Sequence, residues 1–233
     1  MQPYDYWQEF YPAGSFDPAG PHEASFPATL GDGRQLLLPI RMLAGGQQAI
    51  ASLIINQASF SVLRLLATDI AAKLRAYRPD VVVGLPTLGL TLAAAVAEAL
   101  GHPRYVPLGT SRKFWYDEKL SVPLTSITTP HQQKRLYVDP RMLPLMTKRR
   151  VVLIDDVMSS GASMAAGLSL LAKVGVEPAA VGAAMLQTDR WRAAIAGAGT
   201  HWPERVVGAF STPLLVLGPE GGWIAEPIRL SER

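Results

Sequence analysis

Asp155 and Asp156 follow the apolar run Val151-Val152-Leu153-Ile154, and the small residues Ser159-Ser160-Gly161-Ala162-Ser163 come just after them. Such a run of aliphatic residues reads as a strand buried on both faces, and the pattern from Met164 to Lys173 reads as a helix. The spacing therefore places two carboxylates at the end of a strand, with a tight loop leading into a helix N-terminus. Successive backbone N–H groups and hydroxyls in such a loop, at the positive end of a helix dipole, suit a phosphate. The carboxylates do not suit it. Being acceptors only, they fit the hydroxyls of a sugar, directly or through a hydrated divalent cation. Capping of the helix by the Asp and Ser residues is the structural alternative.

This block resembles the phosphoribosyl pyrophosphate (PRPP) signature of the type I phosphoribosyltransferases, closest to the adenine and purine members. Asp155 and Asp156 match the acidic pair; Val157, Met158, Ser159, Ser160, Gly161, Ala162 and Ser163 match the phosphate loop. Two further stretches line up with the family. Gly84-Leu85-Pro86-Thr87-Leu88-Gly89 resembles the pyrophosphate loop, where adenine-type members commonly read Gly-hydrophobic-acid-Ser-Arg-Gly; here Pro86 and Leu88 stand where the acid and the Arg would be. Val106 to Lys113 resembles the strand and Arg-Lys pair that precede a mobile loop, and Lys119-Leu120 matches a later Lys-Leu. Phe114-Trp115-Tyr116-Asp117-Glu118 is a longer insert than usual. Lys134 to Asp139 looks like the strand returning from that loop.

The resemblance implies transfer of 5-phosphoribose from PRPP to a ring nitrogen of a base, a purine in adenine-type salvage, with release of pyrophosphate. It assigns pyrophosphate to Pro86, Thr87, Leu88, Gly89, Arg112, Lys113 and Lys119, with Lys113 also catalytic. Asp155 and Asp156 are catalytic as well: they take the ribose hydroxyls and, through water, Mg²⁺, and one or the other takes the ring N–H proton of the base. It also implies a homodimer. A non-catalytic PRPP or nucleotide sensor of the same fold is the alternative that the altered loop at 86–88 favours, and a hydrolase or carrier for another phosphorylated sugar is a third.

The elements that must position these residues are legible from period and punctuation. Ala58 to Tyr77 has apolar residues at helical spacing and stops before Pro79. Asp80 to Gly84 is a buried strand, Thr91 to Leu100 an Ala-rich helix and Tyr105 to Leu108 a short strand, which makes a βαβ unit. The stretch from 151 to 186 repeats that order and closes with Ala179 to Leu186. A parallel sheet with helices on both faces follows, its ligands at the carboxyl ends of the strands. Leu36 to Arg41 reads as an edge strand because Pro39 lacks a donor. Residues 1–35, rich in aromatics, Pro and Gly, have no assignable period and form an arm or part of a hood. The core then runs over 36–210 with a lid at about 111–134, and 211–233 is an extension.

With 233 residues and 48% hydrophobic content, the chain can bury a substantial core. The absence of cysteine excludes disulfides and thiolate zinc sites. The net charge is +3, and the basic residues of 112–150 are interleaved with acids; that balance favours a small anionic ligand over nucleic acid. No apolar run reaches membrane-spanning length, and the start MQPYDYWQEF lacks a signal-peptide order, so a cytoplasmic protein is expected. The four histidines lack metal-ligand spacing, and there is no nucleophile elbow, Walker sequence or dinucleotide fingerprint.

Overall fold

Two β-branched strands, one from each βαβ unit, lie side by side at the centre of the molecule. In the computed structural model, which describes residues 1–124 and 134–226, the strands are β1 (Ser25–Thr29), β2 (Gln35–Met42), β3 (Gln48–Ala51), β4 (Val81–Gly84), β5 (Val106–Pro107), β6 (Ser121–Leu124), β7 (Lys134–Tyr137), β8 (Val151–Met158), β9 (Ala180–Gln187), β10 (Val206–Thr212), β11 (Leu214–Leu217) and β12 (Trp223–Ala225). The helices are α1 (Phe60–Leu74), α2 (Gly89–Leu100), α3 (Leu143–Met146), α4 (Ala162–Lys173) and α5 (Trp191–Ala196).

The central sheet has the order β10-β9-β8-β4-β5, with every pairing parallel. Because side chains alternate across a strand, each strand feeds two apolar layers. Val82, Val152 and Ile154 pack with α1 and α2 on one face. Val83, Val151 and Leu153 pack with α4 and Trp191 on the other. Both faces are thus closed by helices, as the alternating strand and helix patterns predict. The N-terminus of α1 is fixed by Ser59, whose Oγ accepts from the Val62 N–H at 3.2 Å.

A second sheet, antiparallel, has the order β1-β2-β3-β11-β12 and so joins strands from both ends of the chain. This sheet is the small cover expected from the termini. The expected divisions at 35/36 and 210/211 fall inside β2, after its first residue, and inside β10. No linker composition marks where one sheet gives way to the other, because the strands of the second sheet are separated in sequence by the whole first one.

The edge-strand expectation for 36–41 is corrected: β2 lies between β1 and β3. Pro39 is tolerated there for a specific reason. It stands opposite Ser52, whose N–H donates to the Pro39 carbonyl at 3.0 Å. The return bond would need an N–H that proline lacks, and the Ser52 carbonyl instead accepts from the indole Nε1–H of Trp7 at 3.0 Å. Trp7 is nearly fully buried. The N-terminal aromatic segment is therefore pinned into the core of this sheet.

β6 and β7 form a separate antiparallel hairpin. Val122 and Leu136 of the hairpin are buried in the same apolar layer as α4, and the Lys173 ammonium of α4 donates to the Ser121 carbonyl at 3.1 Å. The stretch expected to be an aperiodic lid thus contains packed structure at 118–124. The part of that expectation at 125–133 lies outside the described residues.

Candidate active site

β4 and β8 run parallel only as far as Gly84 and Ile154, with a last bond from the Leu85 N–H to the Ile154 carbonyl at 2.8 Å. β8 then continues beside β9 alone, from Asp155 opposite Ala183 to Met158 opposite Leu186. β4 and β8 send their helices, α2 and α4, to opposite faces of the sheet, and the acidic pair stands at the carboxyl ends of these strands, where such a switch in direction leaves a crevice. Parallel α/β sheets bind ligands at such places.

Asp155 is buried, with 7% of its surface exposed, and Asp156 is half-buried. The backbone N–H of Asp156 donates to Asp155 Oδ1 at 2.9 Å. Burial first, and then the neighbouring Asp156 carboxylate, push the Asp155 pKa well above the usual range; burial also raises that of Asp156. The unliganded pair is therefore poised to gain from donors, whether sugar hydroxyls or a hydrated cation.

After β8, Ser159 is exposed, Ser160 and Ala162 are half-buried, and Gly161 turns the chain into α4 at φ +79°. The first helical bond runs from the Ala165 N–H to the Gly161 carbonyl at 2.9 Å. The N–H groups before it are the ones a helix leaves without a partner in the chain's own ladder. Ser160 Oγ lies 3.4 Å from the Ala162 nitrogen. Gly161 is required twice over: by its positive φ, and because a Cβ there would stand 2.9 Å from the Trp191 carbonyl oxygen and 3.0 Å from its Cα. The loop expected to cradle phosphate is thus held against the start of α5.

The loop from Pro86 to Leu88 leaves the end of β4 and enters α2 at Gly89. Thr87 is exposed, Leu88 is half-buried against the apolar layer under α1 and α2, and Gly89 is buried against Asp155. The structure therefore brings the expected pyrophosphate loop and the acidic pair into contact at Gly89. α2 begins two residues earlier than its Ala-rich pattern suggests, because Gly89 and Leu90 are themselves helical.

The expected cations sit on the segment after β5, which leaves the same end of the sheet; the Leu108 N–H donates to the Gly84 carbonyl at 2.9 Å. Arg112, Lys113 and Lys119 are all exposed, and Arg112 pairs with Glu118 at 3.0 Å. None of the described hydrogen bonds or ion pairs joins them to Asp155 or Asp156. The insert between them is organised by aromatics. The Trp115 indole N–H donates to Asp139 Oδ2 at 3.3 Å, and the Arg141 guanidinium lies 4.3 Å from the Trp115 ring centre. Arg141 also pairs with Asp139 at 2.6 Å and holds the Asp139 carboxyl down to about 2. Phe114, 95% exposed, projects beyond this cluster.

Sequence reasoning missed Gln187, at the end of β9. Its side-chain amide donates to the Ala51 carbonyl at 2.6 Å and ties the central sheet to the second one. Only its position next to a strand end could have signalled it. Among the described residues no three His, Asp or Glu groups gather as a protein-only metal site. Two carboxylates at a crevice mouth do fit Mg²⁺, which keeps several waters and commonly shares one or two carboxylates with substrate oxygens.

A parallel α/β sheet with an acidic pair and a small-residue loop at the end of a central strand defines a nucleotide- or sugar-phosphate-binding class of protein. The chain belongs to the phosphoribosyl transferase domain family, which it matches over residues 51–194. It is similar to adenine phosphoribosyltransferase of Acidiphilium cryptum, 33% identical over 117 residues that cover 48% of this chain and 61% of that one. It also resembles orotate phosphoribosyltransferase of Polynucleobacter necessarius, 34% identical over 111 residues, 48% of this chain and 42% of that one. The match therefore spans about four- to six-tenths of the length of these relatives. In fold the chain is similar to the Giardia lamblia adenine phosphoribosyltransferase complexed with 9-deazaadenine, with TM-score 0.58 at 20% identity over 74% of this chain and 93% of the other. The family match leaves out β1, β2, most of β3 and the strands from β10 onward.

Proposed function

We propose that the protein transfers 5-phosphoribose from PRPP to a ring nitrogen of a nitrogenous base and releases pyrophosphate, with a purine as the favoured acceptor. The observation that carries this reading is the contact of Gly89, which closes the loop before α2, with Asp155 of the acidic pair, on the strand that leads into the loop before α4. Each part supplies what one portion of PRPP requires. The N–H groups of Ser159 to Ser163 hold the 5-phosphate, the carboxylates accept from the ribose hydroxyls, and the backbone of Pro86 to Gly89 approaches the pyrophosphate. Mg²⁺, when bound with the substrate, neutralises charge that develops on the leaving group.

The remaining chemistry falls to the chain's own residues. Arg112, Lys113 and Lys119 add positive charge at the pyrophosphate when their segment folds over the crevice, and closure excludes water from the reacting carbon. The new bond forms between the ring nitrogen and ribose C1 as the C1–O bond to pyrophosphate breaks, and pyrophosphate departs with the bonding pair. The ring N–H proton passes to Asp156. That carboxylate is the less buried of the two and so the more easily ionised, whereas Asp155 is held toward its neutral form.

Leu88 favours a second reading. A half-buried leucine stands where adenine-type members usually carry a cation, which suits a protein that binds PRPP without turning it over. The experiment that separates the two is incubation with PRPP, Mg²⁺ and each common base in turn, following pyrophosphate release. Release dependent on one base supports the transferase. Stabilisation by PRPP without release supports the sensor, and an unshifted thermal midpoint at millimolar PRPP overturns both.

A further inference from the structure

Positive charge is concentrated at the end of the central sheet opposite the acidic pair. Three segments meet there: 75–80 leads into β4, 98–104 toward β5, and 147–150 into β8. The Arg75 guanidinium donates to the Ala99 carbonyl at 3.0 Å; Arg150 pairs with Asp80 at 2.8 Å, and its carbonyl accepts from the Asp80 N–H. The segments hold Arg75, Arg78, Arg104, Lys148, Arg149 and Arg150, all exposed, against the acids Asp80 and Glu98. That surplus of four exceeds the net charge of the whole chain, +3, so the rest of the molecule is slightly acidic. The interleaving of bases and acids over 112–150 is a property of sequence order. In space Glu118 is taken by Arg112 and Asp139 by Arg141, while Lys148 to Arg150 are grouped with cations from two other segments.

Arg150 and Arg75 are engaged within the fold, but none of the described hydrogen bonds or ion pairs uses the side chains of Arg78, Arg104, Lys148 or Arg149. Two of these four stand where glycine is the ordinary choice. Arg78 ends the helical segment after α1 at φ +48°, and Lys148 turns the chain after α3 at φ +57°. For the same left-handed turn after α2 and α4 the chain uses Gly101 and Gly175. Tyr77, His102 and Tyr105 are half-buried among the cations, and the two tyrosines are fixed by packing against the apolar layer of α1 and α2. None of the exposed large apolar side chains of the described residues belongs to these segments.

We propose that this surface binds a single-stranded nucleic acid. Three of the four unengaged cations are arginines, whose planar guanidinium offers a phosphate two parallel hydrogen bonds. Rings held between them give unpaired bases a stacking face, and cations interleaved with aromatics are what a single strand requires. A lipid surface calls for apolar side chains to insert, which these segments lack. An acidic peptide would use the charge and leave the rings idle. Arg150 and Asp156 are six residues apart along β8, which at a rise of about 3.3 Å per residue sets the surface about 20 Å from the acidic pair. Nucleic acid and PRPP therefore have separate places, and the inference does not depend on the transferase reading.

The test is fluorescence anisotropy of the full chain with a labelled oligouridine of about 12 nucleotides. In the wild type the affinity is expected to fall about 50-fold between 50 and 200 mM salt, the dependence that four phosphate contacts give on a single strand. Combining Arg78→Gln, Arg104→Gln and Arg149→Gln should weaken binding about tenfold or more at low salt and flatten the salt dependence to that of about one contact. The thermal midpoint and its shift by PRPP with Mg²⁺ should be unchanged. If the triple variant fails to fold, Arg149→Gln alone decides, with the loss of about one contact from the salt dependence. Tyr77→Leu should weaken binding without altering that dependence, because it removes a stacking face and no charge. Saturating PRPP or pyrophosphate should leave the oligonucleotide bound. Displacement by either, equal competition by polyglutamate, equal binding of a duplex, or charge variants that bind like the wild type would each overturn the inference. So would the absence of binding at about 100 µM protein in 50 mM salt.

Discussion

Gly89, the first residue of α2, lies so close to Asp155 that a Cβ on it would stand 2.7 Å from Asp155 Oδ1 and 2.9 Å from Asp155 Cα. The expected pyrophosphate loop and the acidic pair are therefore in direct contact, with backbone as well as side chain at the point where they meet. Gly89→Ala is expected to push the loop from Pro86 to Leu88 away from β8. Overpacking of this kind costs roughly 1–3 kcal/mol, measurable by urea unfolding. The pyrophosphate affinity should fall by more than that of a sugar 5-phosphate, which uses the other loop, and calorimetry with the two ligands separately checks the difference.

Asp155 carries a pH dependence of definite sign. Its pKa in the folded protein is raised by burial and by Asp156, so the folded chain holds a proton that the unfolded chain gives up. The unliganded protein should thus lose stability as pH rises from the ordinary aspartate value toward the raised one, and gain nothing from that group below it. Asp155→Asn removes the effect. It should unfold at a higher temperature than the wild type near neutral pH, with the gap closing under acid conditions, while turnover falls by orders of magnitude. A variant whose pH profile parallels the wild type would show that Asp155 is not the group responsible.

Ligand binding offers an independent view of the same pair. Donors from sugar hydroxyls or a hydrated cation favour the ionised carboxylates, so PRPP with Mg²⁺ is expected to release protons at near-neutral pH. Calorimetry in buffers of different ionisation enthalpy measures this directly. The apparent binding heat should vary with the buffer in the wild type, and much less in Asp155→Asn.

The central sheet was legible because its strands are continuous apolar runs punctuated by Gly, Pro and Asp, and both βαβ units came out in order. The acidic pair and the loop into α4 were legible because β8 and α4 are contiguous with them. The second sheet was not. β1 reads Ser-Phe-Pro-Ala-Thr and β3 reads Gln-Ala-Ile-Ala, sequences too short and mixed for a period; they become strands only through partners contributed by β2 and by β11 at the other end of the chain. The error at Pro39 has the same origin, since the Trp7 indole that takes over its missing donor role is 32 positions away in sequence.

The cation segment gives the last prediction. Arg112 is paired with Glu118 at 3.0 Å, and both side chains are 55% exposed. An exposed pair of this kind is worth at most about 1 kcal/mol, whereas a charge-assisted contact to a bound anion is worth roughly 1.5–3 kcal/mol. Pyrophosphate should therefore draw Arg112 away from Glu118. Glu118→Gln, which frees Arg112 in advance, is expected to tighten pyrophosphate-Mg²⁺ binding a few-fold, and Lys113→Ala to weaken it about ten- to a hundredfold. Leu88→Arg restores a cation at the loop but gives up the packing of a half-buried leucine, so it should tighten pyrophosphate while lowering the unfolding midpoint. Turnover tells the two readings apart. In a transferase Lys113→Ala cuts kcat with the best base, and in a sensor PRPP survives prolonged incubation with every base whichever variant is used. Pyrophosphate binding indifferent to all three substitutions would remove Arg112, Lys113 and the Leu88 loop from the site, whatever Asp155 and Asp156 do.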